Sequence, residues 1–453
     1  MLPTLPQKIK SLWLWTFAVK LVLAAVLPLS LDESYYWVWS HNLQLSYFDH
    51  PPLVSWLYLL GQPLEFLGQA VRWPGVILGH LTVYIWLVIV KPHCSETTLK
   101  WFLLLLLTTP LLGLGSLIIT PDVPLMFFWS LSTLIFIKTL EQPRFQKFLL
   151  LGALLGLGFL SKYHVALFLP MALMVMMLAK ELNIKNLPGL LVGALIFFTV
   201  AAPVIYWNYT NDWVSFSFQL NHGLGGESWK PRWTLSYLLG QILIFFPTVL
   251  FVATKKFRQR LQGSVLDKTL IVFGFVPLLF FLYSSTKAHV EANWPIIAVP
   301  FVIALATINS GNKTRWARSA VWFWSGFSLI VLSDVFLRWI PGNPGSIKSQ
   351  EFYYYENIVK YVQENPEEPF YARTFQMASK VTYDSGVLVP KILGSSRFDF
   401  YDMHEMSQPK EEVIYLFVRS GENIPSGATV NPYKITDRKS IDSSFDVLEL
   451  THQ

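Results

Sequence analysis

The chain has 453 residues, of which 53% are hydrophobic and only 14% charged, against roughly 25% charged in an ordinary soluble domain. That excludes a water-soluble fold, whose core can hide one long apolar run but not a succession of them. The net charge of +6 does not point to nucleic acid, because the basic residues fall in short clusters between apolar runs, where they report topology.

In chain order, Lys8 and Lys10 precede an apolar run at 11–29 with no small-residue cleavage site after it. It reads as a retained first helix rather than a cleaved signal. Further apolar runs follow at about 73–90, 101–119, 124–137, 148–160, 165–179, 188–207, 234–253, 269–285, 294–309 and 319–336. Helices of about 20 residues cross a hydrocarbon core of roughly 30 Å, and Trp and Tyr near the ends of these runs suit the headgroup zone. Residues 53–67 are apolar but broken by Gly61 and Pro63, which suits an interfacial helix. The single cysteine, Cys94, excludes an intramolecular disulfide and leaves the compartment unread.

Charge bias predicts the orientation. Loops after even-numbered spans hold Lys91, Lys100, Lys138, Arg144, Lys147, Lys180, Lys185, Lys255, Lys256, Arg258, Arg260, Lys313, Arg315 and Arg318. Loops after odd-numbered spans, up to the ninth, hold only Arg72, Lys162, Lys230, Arg232 and Lys287. The positive-inside rule then puts the N-terminus in the cytoplasm and the odd loops outside. Past the linker PGNPG at 341–345, a helix at 352–364 and strands at 369–375 and 412–418 predict a small soluble domain.

Polar clusters that are not simply basic fall on the outer side. The first outer loop carries Asp32, Glu33, Asp49 and His50 among aromatics; the second carries Asp122 between two prolines. The turn SKYH (161–164) carries Lys162, and STKAHVEANWP (285–295) carries Lys287 and His289. Charges at the ends of apolar spans are costly unless paired or hydrated, so their recurrence on one face points to a site rather than to solvated loops.

Asp32 and Glu33 point about 100° apart on a helix, so one faces a cavity while the other caps or positions. A desolvated carboxylate suits a general base, and Asp32, Glu33 and Asp122 are the candidate catalytic acids. Lys162, His50, Lys287 and His289 suit a phosphate. Tyr35, Tyr36, Asp49, Tyr163, His164, Glu291 and Asn293 share these segments and are the candidate substrate-binding residues. Acids that activate a nucleophile, with cations that hold a phosphate leaving group, suggest group transfer from a phosphorylated donor. The spacing supports no zinc site; a divalent cation at Asp32, Glu33 or Asp122 stays open. A transporter would show paired, interrupted half-helices near mid-membrane, and a lipid-binding assembly protein would need neither Asp32 nor Asp122.

The ordered motifs DESYYWVWS, YFDHPP, TPDVPL, FLSKYH and KAHVEANWP resemble the bacterial branch of the protein O-mannosyltransferase-like glycosyltransferases (family 39) of the GT-C superfamily, which also holds the lipid A aminoarabinose transferases. The resemblance spans residues 30 to about 300, and segments 372–386 and 396–402 are similar to the outer domain of many bacterial members. It implies a polyprenyl-phosphate-linked sugar donor, inverting transfer, and a site between the membrane and the outer loops. It also implies Asp32 as base with Glu33 as companion, Asp49 and His50 as the pair before the double proline, Asp122 as the second-loop acid, and Lys162 on the lipid phosphate. Ala292 stands where the family motif has proline, which sets Glu291 apart from the pattern.

The expectation is therefore an α-helical polytopic membrane protein of about eleven transmembrane helices with a GT-C-like catalytic domain at 1–340. A small C-terminal α/β extracytoplasmic domain follows at 341–453. It is expected in the inner membrane, multi-pass, with the site and C-terminal domain periplasmic. The acceptor is expected to be lipid A, lipopolysaccharide or another glycan, the alternative being a protein; the sugar, hexose or pentose, is open. No cofactor is implied with certainty, and no nucleic acid.

Overall fold

The computed structural model describes residues 5–225, 228–422, 429–430 and 432–453. The chain divides into two compact units. The membrane unit comprises 1–26 and 45–330; the second, C-terminal unit comprises 27–44 and 331–453. The second is thus discontinuous in sequence: it takes a piece of the first loop as well as the tail.

In the membrane unit the helices are α1 (Gln7–Val26), then, after α2 (Leu31–His41), which belongs to the other unit, α3 (Leu53–Gly61), α4 (Trp73–Val90), α5 (Glu96–Thr108), α6 (Asp122–Glu141) and α7 (Phe145–Ser161). They continue with α8 (Phe168–Ala179), α9 (Leu187–Thr210), α10 (Val214–Leu224), α11 (Pro231–Phe245), α12 (Pro247–Thr254), α13 (Phe257–Leu261), α14 (Val265–Ser284), α15 (Val299–Ser310) and α16 (Arg315–Leu337). Each of the apolar runs expected from the sequence is helical. Among the described residues six helices are long and apolar enough to cross a membrane alone, and eight spans result if each of two bent pairs counts as one; three shorter apolar helices complete the set. Residues 53–67 form α3 and a 3-10 turn, Gln62–Leu67.

The bends have local causes. Between α11 and α12 the chain turns by 83°, where Phe246 takes a left-handed φ of 59° and Pro247 supplies no N–H. After α5 the chain turns by 69° into Pro110–Leu117. Such a break frees backbone acceptors inside an apolar unit, where an unpaired one is costly. Lys20 on α1 meets that need: its Nζ donates to Ser116 Oγ at 2.6 Å and to Leu112 O at 3.4 Å. The segment so held leads directly into α6 and Asp122.

Small residues let the helices approach closely. A Cβ on Gly152 of α7 would lie 2.1 Å from the backbone oxygen of Gly193 on α9, so this crossing needs glycine, as tightly packed membrane helices do. Trp86, Trp129, Phe168, Phe273 and Phe301 fill the centre of the unit. In the basic segment around α13, Arg260 pairs with Asp267 at 2.7 Å and donates to Asn309 Oδ1 at 3.0 Å.

The C-terminal unit is a mixed sheet with helices. Its strands are β1 (Phe370–Ala372), β2 (Val413–Arg419), β3 (Thr429–Val430), β4 (Tyr433–Ser440) and β5 (Phe445–His452), in spatial order β1-β2-β5-β4-β3. Among the described strands only β1 and β2 pair in parallel, which requires a crossover. That crossover contains α18 (Phe375–Ser385), preceded in the chain by α17 (Glu356–Glu364). Alternation sorts the faces: Ile414, Leu416, Val418, Leu448 and Leu450 pack in one core, while Phe370 and Phe417 meet Tyr361 of α17. The helix expected at 352–364 is split into a 3-10 turn, Glu351–Tyr353, and α17. The strand expected at 369–375 stops at Ala372, because Thr374 caps α18 by accepting from Met377 N–H.

Candidate active site

A buried polar arrangement in the membrane unit ties three helix ends together. Asp122 occupies the first turn of α6, where the helix dipole favours a carboxylate. Lys162 caps α7 in an extended conformation that turns the chain into the 3-10 segment Tyr163–Leu167. Asn293 precedes another 3-10 segment, Trp294–Ala298. Lys162 Nζ donates to Asp122 Oδ1 at 2.7 Å, and Asn293 Nδ2 donates to Asp122 Oδ2 at 2.7 Å. Asp122 and Lys162 are 5% and 6% exposed. In such burial the pair holds only because both carboxylate oxygens are satisfied.

The cluster is neutral overall. Lys162, expected on a phosphate, spends one donor on Asp122 and retains two further N–H groups, since an ammonium carries three. Among the described residues no three of His, Cys, Asp and Glu converge as metal ligands.

A cavity of about 390 Å³ is walled by Tyr163 and Trp294, the chain neighbours of Lys162 and Asn293, and not by the three cluster residues themselves. It is lined by Tyr163, His164, Phe216, Gln219, Phe281 and Trp294 among others. His164 lies within electrostatic reach of Lys162 and His50; its ring stacks on Phe281 at 5.4 Å, and its buried Nε2 has no hydrogen-bond partner among the described residues. The Tyr163 hydroxyl bonds Ser215 Oγ at 2.9 Å and accepts from Asn208 at 3.4 Å. Asp49 is buried, and its carbonyl accepts from Gln219 Nε2 at 2.6 Å. His50 closes the same turn by accepting from Tyr47 N–H at 3.2 Å, immediately before the double proline that starts α3.

A second, almost wholly apolar cavity of about 580 Å³ lies among α7, α8 and α9. The two share Phe159, Ala166 and Phe216 in their walls. Asn208, Ser215 and Gln219, on α9 and α10, are site residues the sequence reading did not single out. The available signal was polar side chains at the end of an apolar run, inside an aromatic segment.

Not every expected residue joins this group. Lys287, His289 and Glu291 lie on an exposed turn, where His289 and Glu291 approach to 3.4 Å with side chains 50% and 60% exposed. An exposed pair of this kind contributes little.

Asp32, Glu33, Tyr35 and Tyr36 lie on α2, in the C-terminal unit. Glu33 is fully buried and closes a capping box: Ser30 N–H donates to its Oε2 at 3.0 Å, and Glu33 N–H donates to Ser30 Oγ at 3.3 Å. Asp32 is exposed on the same first turn. Tyr35, expected at the substrate, is instead 2% exposed and embedded among Phe375, Phe400 and Tyr401.

Residues 49–207 match the family of dolichyl-phosphate-mannose-protein mannosyltransferases. The match is confined to that part of the chain. Relatives of the chain include the lipid A galacturonosyltransferase RgtD of Rhizobium johnstonii, 24% identical over 279 residues that cover 59% of this chain and 58% of RgtD. The lipopolysaccharide core galacturonosyltransferase RgtA of the same organism is 28% identical over 194 residues, 42% of this chain and 38% of RgtA. The chain thus spans less than two thirds of the length of these curated relatives. The crystal structure of ArnT from Cupriavidus metallidurans in the apo state superposes with a TM-score of 0.67 at 12% identity, covering 97% of each chain. The same protein bound to undecaprenyl phosphate gives 0.63.

Proposed function

We propose that the protein is an inner-membrane glycosyltransferase that moves a sugar from a polyprenyl-phosphate-linked donor to an envelope glycolipid, lipid A or lipopolysaccharide. The buried Asp122–Lys162–Asn293 cluster beside a cavity carries this reading. It offers a fixed ammonium with spare donors at an apolar boundary, which suits a lipid phosphate and not a soluble nucleotide. The adjoining apolar cavity has the lining for an isoprenoid tail. ArnT has been crystallised with undecaprenyl phosphate, and the curated relatives are named for lipid A and lipopolysaccharide core. Both relatives transfer a hexuronic acid by name, which favours a hexosyl over a pentosyl donor.

In the reaction, the acceptor hydroxyl oxygen attacks the anomeric carbon as the bond from that carbon to the phosphate oxygen breaks. Asp32 takes the acceptor's proton, and polyprenyl phosphate leaves with the bonding pair. Inversion follows from the single displacement. Lys162 holds the phosphate, with His50 and His164 as further donors; Asp122 orients Lys162 and is not itself consumed. Lys287 and His289 serve from the exposed turn, and Tyr36, Asp49, Tyr163, Glu291 and Asn293 border the substrates. Residues 1–340 carry the membrane-embedded chemistry and 341–453 an extracytoplasmic domain, both substrates meeting on the periplasmic side.

The test is reconstitution of the purified protein with polyprenyl-phosphate sugars, and mass spectrometry of envelope lipids, glycans and glycoproteins from cells with and without the gene. A sugar missing from lipid A or lipopolysaccharide is the expected result. A sugar missing only from exported proteins assigns a protein acceptor, and no missing sugar overturns the reading.

A further inference from the structure

The C-terminal unit contains the helix that bears Asp32, and it grips that helix on both sides of the acid. Just before α2, Lys380 of α18 donates from Nζ to Leu29 O at 2.8 Å. Its ammonium is 1% exposed and balanced by Asp384 at 2.9 Å. One turn into α2, the Tyr35 hydroxyl accepts from the backbone N–H of Phe400 at 3.0 Å. The Tyr35 ring packs 4.4 Å from Phe375. Further along, Trp37 meets Tyr383 edge-on at 4.9 Å. Between Leu29, whose carbonyl Lys380 binds, and Tyr35 sits Asp32, whose own side chain is exposed.

Two features argue that this grip does more than stabilise the fold. An apolar contact would bury α2 equally well, yet a buried lysine, paired with Asp384, is spent on the Leu29 carbonyl, although desolvating an ammonium is costly. The two polar anchors also have directional geometry, and they bracket the residue whose direction matters to a proton transfer.

We propose that Lys380 and Tyr35 are positioning residues that set the orientation of Asp32. The inference rests on the proposed role of Asp32 as base. Neither residue touches a substrate; both act through α2.

The experiment compares Lys380→Met, Lys380→Arg and Tyr35→Phe in the full-length protein, each alone and combined with Asp32→Asn. Thermal unfolding of every variant is followed in parallel, and Tyr35→Phe keeps the ring so that folding survives even if Lys380→Met misfolds. Expected is a kcat loss of about tenfold to a hundredfold for Lys380→Met and Tyr35→Phe, with donor KM unchanged, partial rescue by Lys380→Arg, and no further loss once Asp32 is replaced. Losses that multiply with Asp32→Asn mean a merely structural role and overturn the inference, as does wild-type kcat in Lys380→Met and Tyr35→Phe. If Asp32→Asn itself keeps wild-type kcat, the base assignment falls and this inference with it. If Asp32→Asn is slow while the anchors are silent, only this inference falls.

Discussion

Lys162 and Asp122 lie 40 residues apart in sequence, yet Lys162 Nζ stands 2.7 Å from Asp122 Oδ1 in a setting nearly closed to water. The pair joins the end of α7 to the start of α6 and leaves the site neutral before any substrate binds. Removing one partner strands the other charge, which costs about 3–5 kcal/mol in such a place. Lys162→Ala is therefore expected to lose both donor affinity and stability. The double variant Asp122→Asn/Lys162→Met is expected to regain stability without regaining turnover. A melt series alongside donor-dependent kinetics separates the two effects; a double variant with normal kcat/KM would remove the pair from the mechanism.

Asp32 and Glu33 are expected to differ in kind. Asp32→Asn keeps size and hydrogen bonding but removes the base, so kcat should fall about 10²–10⁴-fold at near-normal stability. Glu33→Gln keeps a reduced capping interaction and should cost about 1 kcal/mol or less, with a smaller effect on kcat. Saturating-donor kinetics and melting curves for both variants decide the assignment, and a silent Asp32→Asn beside a dead Glu33→Gln would reverse it.

Gly152 tests the packing beneath the site. Its missing Cβ would meet the Gly193 backbone at 2.1 Å, and backbone cannot rotate away. Gly152→Ala should force α7 and α9 apart at a cost of about 1–3 kcal/mol and widen the apolar cavity between them. The expected readout is a lower melting temperature with a raised KM for long-chain donors and little change for short-chain ones. Unchanged melting would show that the crossing relaxes freely.

Topology follows from the distribution of Lys and Arg. Reporters fused after residues 260 and 318 are expected in the cytoplasm, and one after residue 345 outside. A cytoplasmic signal from the last fusion would separate residues 341–453 from the proposed face.

In the C-terminal unit, Lys391 is shared by the buried carboxylates of Asp399, at 2.8 Å, and Asp402. Burial pushes Asp399 up to about 6 from 3.8, against the pull of Lys391. A carboxyl whose pKa is raised in the folded state contributes its full stabilisation below the unfolded value and loses it as pH rises through the folded one. Stability is therefore expected to fall as pH rises from about 4 to 6, by on the order of 2–3 kcal/mol. Hydrogen exchange of the sheet across that range measures it. Asp399→Asn should flatten the slope, and a slope unaltered by that change would place the titration elsewhere.

The sequence by itself determined the membrane class and the apolar helices, because hydropathy and helix length are local properties that a bilayer enforces directly. It also singled out Asp32, Asp122, Lys162 and Asn293. Only the tertiary structure decided what these touch. That Lys162 and Asn293 both hold Asp122 depends on three helix ends meeting, and no spacing in the chain encodes that. That Glu33 caps α2 could be framed only as an alternative, since neighbours on a helix diverge but the direction of each is set by Ser30. That α2 belongs with residues 331–453, and that Tyr35 answers to Phe400 rather than to a substrate, rests on contacts across hundreds of residues. Side-chain burial and hydrogen-bond direction at such distances are properties of the packed chain, not of any segment of it.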